Sequence, residues 1–67
     1  AKYLDLYSAL DNAGLTDKQR QAIDLVYFEG LTQEDAAREM GVGQDVVSRR
    51  ISVSIKKIFK YFENSSE

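Results

Sequence analysis

An all-α domain of four helices is the fold this sequence predicts, and three observations predict it. Apolar residues recur three and four positions apart in successive segments, the spacing of one helix face. Proline is absent, and glycines at 14, 30 and 41 separate the periodic segments. Thr16 with Gln19 and Thr32 with Asp35 have the spacing of capping boxes, in which a hydroxyl and a side chain three residues later satisfy orphaned helix amides.

Taken in order, Tyr3, Leu6, Tyr7 and Leu10 lie along one face of a first helix that Gly14 closes. Thr16 opens a second helix with Ala22, Ile23, Val26 and Tyr27 on one face, widened by Leu25 and Phe28 and ended by Gly30. Thr32 and Asp35 form a weaker box opening a short third helix through Met40. The last helix is expected to start at Gly43 or Gln44 and to run to about Phe62. Its inner stripe is Val47, Ile51, Ile55, Ile58, Phe59 and Phe62. Residues 1–63 thus make one domain, and Asn64, Ser65, Ser66 and Glu67 a frayed tail.

With 67 residues the chain is near the lower size limit for an unaided hydrophobic core. It has no cysteine and no histidine, so neither disulfides nor the usual zinc sites can support it. Helix packing or a partner chain must do so. No apolar run approaches membrane-spanning length and no secretory stretch opens the chain, so a cytoplasmic protein without membrane association is expected. No metal or other cofactor is called for. Catalysis is not expected either: it would need carboxylates, serine or lysine in a pocket that so small a bundle has little room to form.

The last two helices carry a more specific pattern. Ala37 is small enough to admit a crossing helix, and Gly41 can take the left-handed backbone that ends the third helix. Val42 fills the inside of the turn, while Val47 and Ile51 lie one turn apart on the inner face of the next helix. This is the arrangement of a helix-turn-helix, whose second helix enters the major groove of double-stranded DNA. The charge is distributed accordingly. From Arg38 to Lys60 six basic residues face two acidic ones, whereas the stretch before it holds three basic residues and seven acidic ones. Such a polarity orients a protein on a polyanion, although solvated helix faces alone would also produce it.

If Val47, Ile51 and Ile55 face inward, the opposite face of the early turns presents Gln44, Asp45, Ser48, Arg49 and Ser52 as candidate base contacts. Gln44 and Arg49 can bond bidentately to adenine and guanine edges, and the two serines allow close approach. The alternative is an ordinary polar helix face. Thr32 and Gln33 open the supporting helix, where free amides favour a phosphate, though they can equally serve as simple caps. Arg38, Arg50, Lys56 and Lys57 are candidate phosphate contacts, which position a protein without reading sequence. Lys56, Lys57 and Lys60 can also simply balance the negative end of the last helix dipole.

The run LTDKQRQAIDLVYFEGLTQEDAAREMGV, continued by Val47, Arg50 and Ile51, resembles region four of bacterial sigma factors. Extracytoplasmic-function factors and small sigma-like phage regulators are the nearest branches. The resemblance covers about two thirds of the chain. It implies recognition of the −35 promoter element and docking on the flap of RNA polymerase. Val46, Arg49 and Val53 depart from the commonest residues around the family's recognition helix, and Asp45 adds a negative charge there. No region two is present, so the sequence corresponds to a piece of a longer sigma factor or to a stand-alone adaptor. A module that binds polymerase or a regulator without reading DNA is the alternative function. The aromatic end of the last helix, Phe59, Tyr61 and Phe62, is a candidate homodimer contact, unless those rings only cover Tyr3 and Tyr7 within one chain.

Overall fold

Four helices form among residues 8–65, the part of the chain that the computed structural model describes, and no strand occurs there. Tyr3, Leu6 and Tyr7, assigned above to the first helix, lie outside the described residues, as do Ser66 and Glu67. Helix α1 covers residues 8–12 and buries Ala9 and Leu10. Helix α2 spans Asp17–Ile23. Its capping box is complete: the Gln19 amide donates to Thr16 Oγ1 at 3.1 Å and the Thr16 amide to Gln19 Oε1 at 3.0 Å.

The chain then departs from the regular helix that the spacing predicts. Asp24–Phe28 form a π-helical turn, closed by the Glu29 amide donating to the Asp24 carbonyl at 2.9 Å. The Leu31 amide reaches back to the Leu25 carbonyl at 3.0 Å around Gly30, whose φ is +78°. Ala22, Ile23 and Leu25 are buried, but Tyr27 is 59% exposed and Phe28 48%. These two rings were expected on or beside the core face. They instead line an open apolar groove of about 400 Å³ with Leu10, Ile23, Ile55 and Ile58, so part of each ring meets solvent.

Helix α3, Gln33–Met40, starts at Thr32, whose Oγ1 accepts from the Asp35 amide at 3.1 Å. The reciprocal half of the expected box is missing, because the Asp35 carboxylate is held at 2.6 Å by Arg38 instead. Ala36 and Ala37 are buried, and their small side chains let α3 cross close to the next helix.

Helix α4 spans Gln44–Ser65, about 33 Å at 1.5 Å per residue, so Asn64 and Ser65, the first two residues of the expected tail, are helical. Its buried residues are Val47, Ile51 and Ser54, with Ile55 and Ile58 packed against the same core. Two features differ from the predicted stripe. Ser54 is fully buried, because its Oγ donates to the Arg50 carbonyl at 2.6 Å and leaves no unpaired polar atom. Phe59 is 65% exposed, turned away from the line that Val47, Ile51, Ser54 and Ile58 trace at four- and three-residue steps.

Candidate nucleic-acid interface

The corner between α3 and α4 sets the geometry of the site. Gly41 adopts φ +70°, ψ 34°, a left-handed conformation that costs a side-chain-bearing residue energy. The Val42 amide donates to the Ala37 carbonyl at 3.0 Å and the Gly41 amide to the Arg38 carbonyl at 3.3 Å. These two bonds form a Schellman motif, which satisfies helix-end carbonyls and turns the chain sharply. Val42 packs against the core from the inside of the turn. Gly43 follows, and its carbonyl accepts the first bonds of α4, from the Val46 and Val47 amides at 3.1 and 3.3 Å.

With Val47 and Ile51 buried, the opposite face of the first turns of α4 is exposed. Gln44, Asp45, Ser48, Arg49 and Ser52 are all on it, so the five residues singled out as base contacts share one accessible surface. One electrostatic relationship lies within it. Arg49 Nη2 stands 4.0 Å from Asp45 Oδ2, one helical turn back, with both side chains more than 70% exposed. Asp45 Oδ1 also leans over the preceding glycine: a Cβ on Gly43 would meet it at 2.6 Å.

The candidate phosphate contacts divide into two groups. Thr32 and Gln33 stand at the start of α3, and Arg50 and Lys56 lie on α4, where Lys56 is exposed and Arg50 partly so. Arg38 is exposed but tied to Asp35, so a phosphate would have to compete with that carboxylate. The pair holds the Asp35 carboxyl below its ordinary value, mainly through the hydrogen bond from Arg38 and then through Thr32. It correspondingly raises the Arg38 guanidinium.

Lys57 departs furthest from the sequence reading. It is partly buried, and its Nζ donates to the Gly14 carbonyl at 3.0 Å and to Gln19 Oε1 at 2.8 Å. It joins α4 to the turn between α1 and α2, so a phosphate would have to compete with these two acceptors. Nearby, Arg20 links the same two helices, with Nη1 at 3.0 Å from Asp11 and Nε at 3.3 Å from Asp24. The hydrogen bond that Arg20 donates to Asp11 is the largest influence raising the Arg20 guanidinium. Sequence reasoning gave Gly43 no role beyond marking the helix start. The signal for a further role is the small residue set just before Gln44 and Asp45.

Among the described residues no group of carboxylates, histidines or cysteines could hold a metal ion. No described helix is long and apolar enough to cross a membrane.

Comparison with known proteins agrees with this geometry. The family model for Sigma-70, region 4 matches residues 13–60. A UPF0251 protein of Pyrococcus horikoshii is 41% identical over 44 residues, which are 66% of this chain and 40% of that protein. Another from Pyrococcus furiosus is 39% identical over 44 residues, 66% of this chain and 41% of the relative. A third, from Thermococcus kodakarensis, is 41% identical over 44 residues, covering 66% and 39% respectively. The chain therefore spans about two fifths of the length of these curated relatives, all archaeal. No solved structure matches it significantly. With the matched span taking in α2, the π turn, the Gly41 corner and α4 as far as Lys60, the chain belongs to the Sigma-70 region 4 family of DNA-binding helix-turn-helix domains.

Proposed function

We propose that this domain reads promoter DNA of the −35 type, with the first turns of α4 in the major groove and RNA polymerase as its protein partner in the cytoplasm. One observation carries the reading: Gln44, Asp45, Ser48, Arg49 and Ser52 share one exposed face while Val47 and Ile51 fix that helix to the core behind them. Arg49 is the residue best suited to a guanine edge, and Gln44 to an adenine. Lys56 and Arg50, farther along α4, supply contacts to the phosphates that flank the groove, and Thr32 and Gln33 bring the start of α3 to the backbone.

The test compares Arg49→Ala with Lys56→Ala on cognate and scrambled duplexes. Loss of Arg49 is expected to cost about 1–3 kcal/mol on the cognate site and little on the scrambled one. Loss of Lys56 weakens both alike and lowers the slope of log affinity against log salt by about one. An unchanged cognate-to-scrambled ratio in Arg49→Ala would show that this face does not read bases.

A second reading, a sigma-like module that binds polymerase or a regulator without reading DNA, draws support from the apolar surface. Tyr27 lines the open groove with Ile55 and Ile58, and Phe59 projects from the next position of α4. Under that reading Tyr27→Ala and Phe59→Ala abolish capture of polymerase, and no duplex is preferred over any other.

A further inference from the structure

The open apolar groove has an exposed ring beside it. Tyr27 and Phe28 line one bank from the π turn, and Ile55 and Ile58 line the other from α4, around a volume of about 400 Å³. Phe59 comes one helical turn after Ile55, so it projects from the same side of α4. Tyr61 and Phe62 are half-buried and stack edge to face on each other at 5.8 Å, which leaves Phe59 as the projecting ring of this end of the helix. About half or more of each of Tyr27, Phe28 and Phe59 meets solvent. At roughly 200 Å² a ring, these three alone expose about 350 Å², the size of patch that marks an interaction site.

The two banks differ in charge. Glu29 directly follows Phe28 at the end of the π turn, and Lys56 lies three residues before Phe59, its neighbour on the helix surface. Both side chains are exposed, and neither forms an ion pair among the described residues. A groove with an acidic bank, a basic bank and a ring on the basic side is complementary to a copy of itself. A two-fold axis running along the groove sets each α4 against the other copy's π turn. Each Phe59 then enters the opposite groove, and Lys56 meets Glu29 twice. An axis across the groove would instead set Glu29 against Glu29, and like charges facing each other oppose association.

We infer that a second copy of this chain covers the groove, in a reciprocal dimer held by Phe59 and by two Lys56–Glu29 pairs. An interface of standard size buries about 800 Å² per partner, which is about one sixth of the 4795 Å² accessible here. The three rings supply somewhat under half of that, and the aliphatic lining with the charged rim supplies the rest. Such an interface falls at the weaker end for its size, with a dissociation constant on the order of micromolar. Lys56 then has two uses, a phosphate when a duplex is bound and Glu29 when a second copy is, so the two states compete. Pairing itself does not depend on DNA reading, and its failure leaves that function in place.

The experiment is sedimentation equilibrium of the purified chain, without DNA, from about 1 μM to about 1 mM. The parent is expected to pass from monomer to dimer within that range. Phe59→Ser weakens pairing by about tenfold or more, with helicity by circular dichroism unchanged because the ring is exposed. Lys56→Glu alone and Glu29→Lys alone each weaken it as well, since each sets like charges face to face. The double variant Lys56→Glu with Glu29→Lys restores pairing to within about threefold of the parent, a rescue that a merely structural role for either residue would not give. A chain that stays monomeric throughout, whether or not it captures RNA polymerase, overturns the inference. A dimer that Phe59→Ser leaves equally tight, or that the double variant fails to restore, overturns it too.

Discussion

Lys57 Nζ donates to Gln19 Oε1 at 2.8 Å across 38 residues of sequence, and the same Oε1 accepts the Thr16 amide at 3.0 Å. The capping box that starts α2 is thus fastened to the middle of α4. The second bond from Lys57, to the Gly14 carbonyl, holds the end of the preceding turn as well. Replacing Lys57 by Met keeps the stem and removes both bonds. The expected loss is about 1–2 kcal/mol, a fall in Tm of roughly 5–15 °C for so small a domain. Thermal unfolding followed by circular dichroism measures it. DNA affinity corrected for the folded fraction should keep its salt slope, because this ammonium group is already engaged by Gly14 and Gln19. An unchanged Tm together with a smaller salt slope would return Lys57 to the phosphate contacts.

Gly41→Val should be among the most damaging single changes in the chain. A β-branched residue at φ +70° costs on the order of 1–3 kcal/mol, although a Cβ there would meet nothing within 4 Å. The penalty comes from the backbone rather than from a clash, so Gly41→Ala is expected to be harmful too, and Gly41→Asn milder. Denaturant midpoints of the three variants test that order. A Gly41→Val midpoint equal to the parent's would mean that the corner does not depend on left-handed geometry.

Ser54 offers a test of packing in the core. Its hydroxyl returns to the Arg50 carbonyl of its own helix, so Ser54→Ala removes donor and bond together and strands no buried partner. A change in stability within about 1 kcal/mol is expected. Ser54→Leu instead forces a large side chain into a position of no exposure, at a cost of about 1–3 kcal/mol. Urea titrations that reverse this order would place Ser54 at the surface.

Asp35 gives a pH-dependent signature. Arg38 holds its carboxyl below the ordinary value of 3.8, with a further contribution from Thr32. The folded state therefore releases this proton more readily than the unfolded state. The pair's contribution to stability is complete above pH 3.8 and is lost as pH falls through the lowered value. A carbon-detected titration of the side chain should give a midpoint under 3.8 that moves back up in Arg38→Met. A midpoint at or above 3.8 in the parent would contradict the ion pair.

The elements that local chemistry controls were legible in the sequence. Thr16 and Thr32 start helices, Gly41 ends one, and the alternation of Val47 and Ile51 with Ser48, Arg49 and Ser52 separates the core from the exposed face of α4. Each depends on residues within about one or two helical turns. What escaped depends on contacts made elsewhere. The π turn at Asp24–Phe28 closes through backbone bonds that any side chains could accompany, and Tyr27 and Phe28 read as core until the open groove beside them is known. Ser54 looks polar in a sequence but satisfies its hydroxyl on its own helix, which frees the position for burial. Lys57 reads as one of a basic cluster because its partners lie 43 and 38 residues away. The Asp45–Arg49 pair has visible spacing, but its relation to Gly43 appears only in three dimensions.

The corner at Gly41 is closed entirely by main-chain groups between Ala37 and Val42. The pitch at which α4 leaves α3 is consequently set by these six consecutive residues together with the small Ala36 and Ala37 side chains against which α4 packs, well before Lys57 in the sequence. Loss of the Lys57 bonds is expected to act first on the stability with which the turn before α2 is held to α4, since the corner's own bonds involve neither Lys57 nor its partners. Gly41 therefore bears on both the direction of the reading face and the stability of the domain, whereas Lys57 bears on the stability of the clamp it makes.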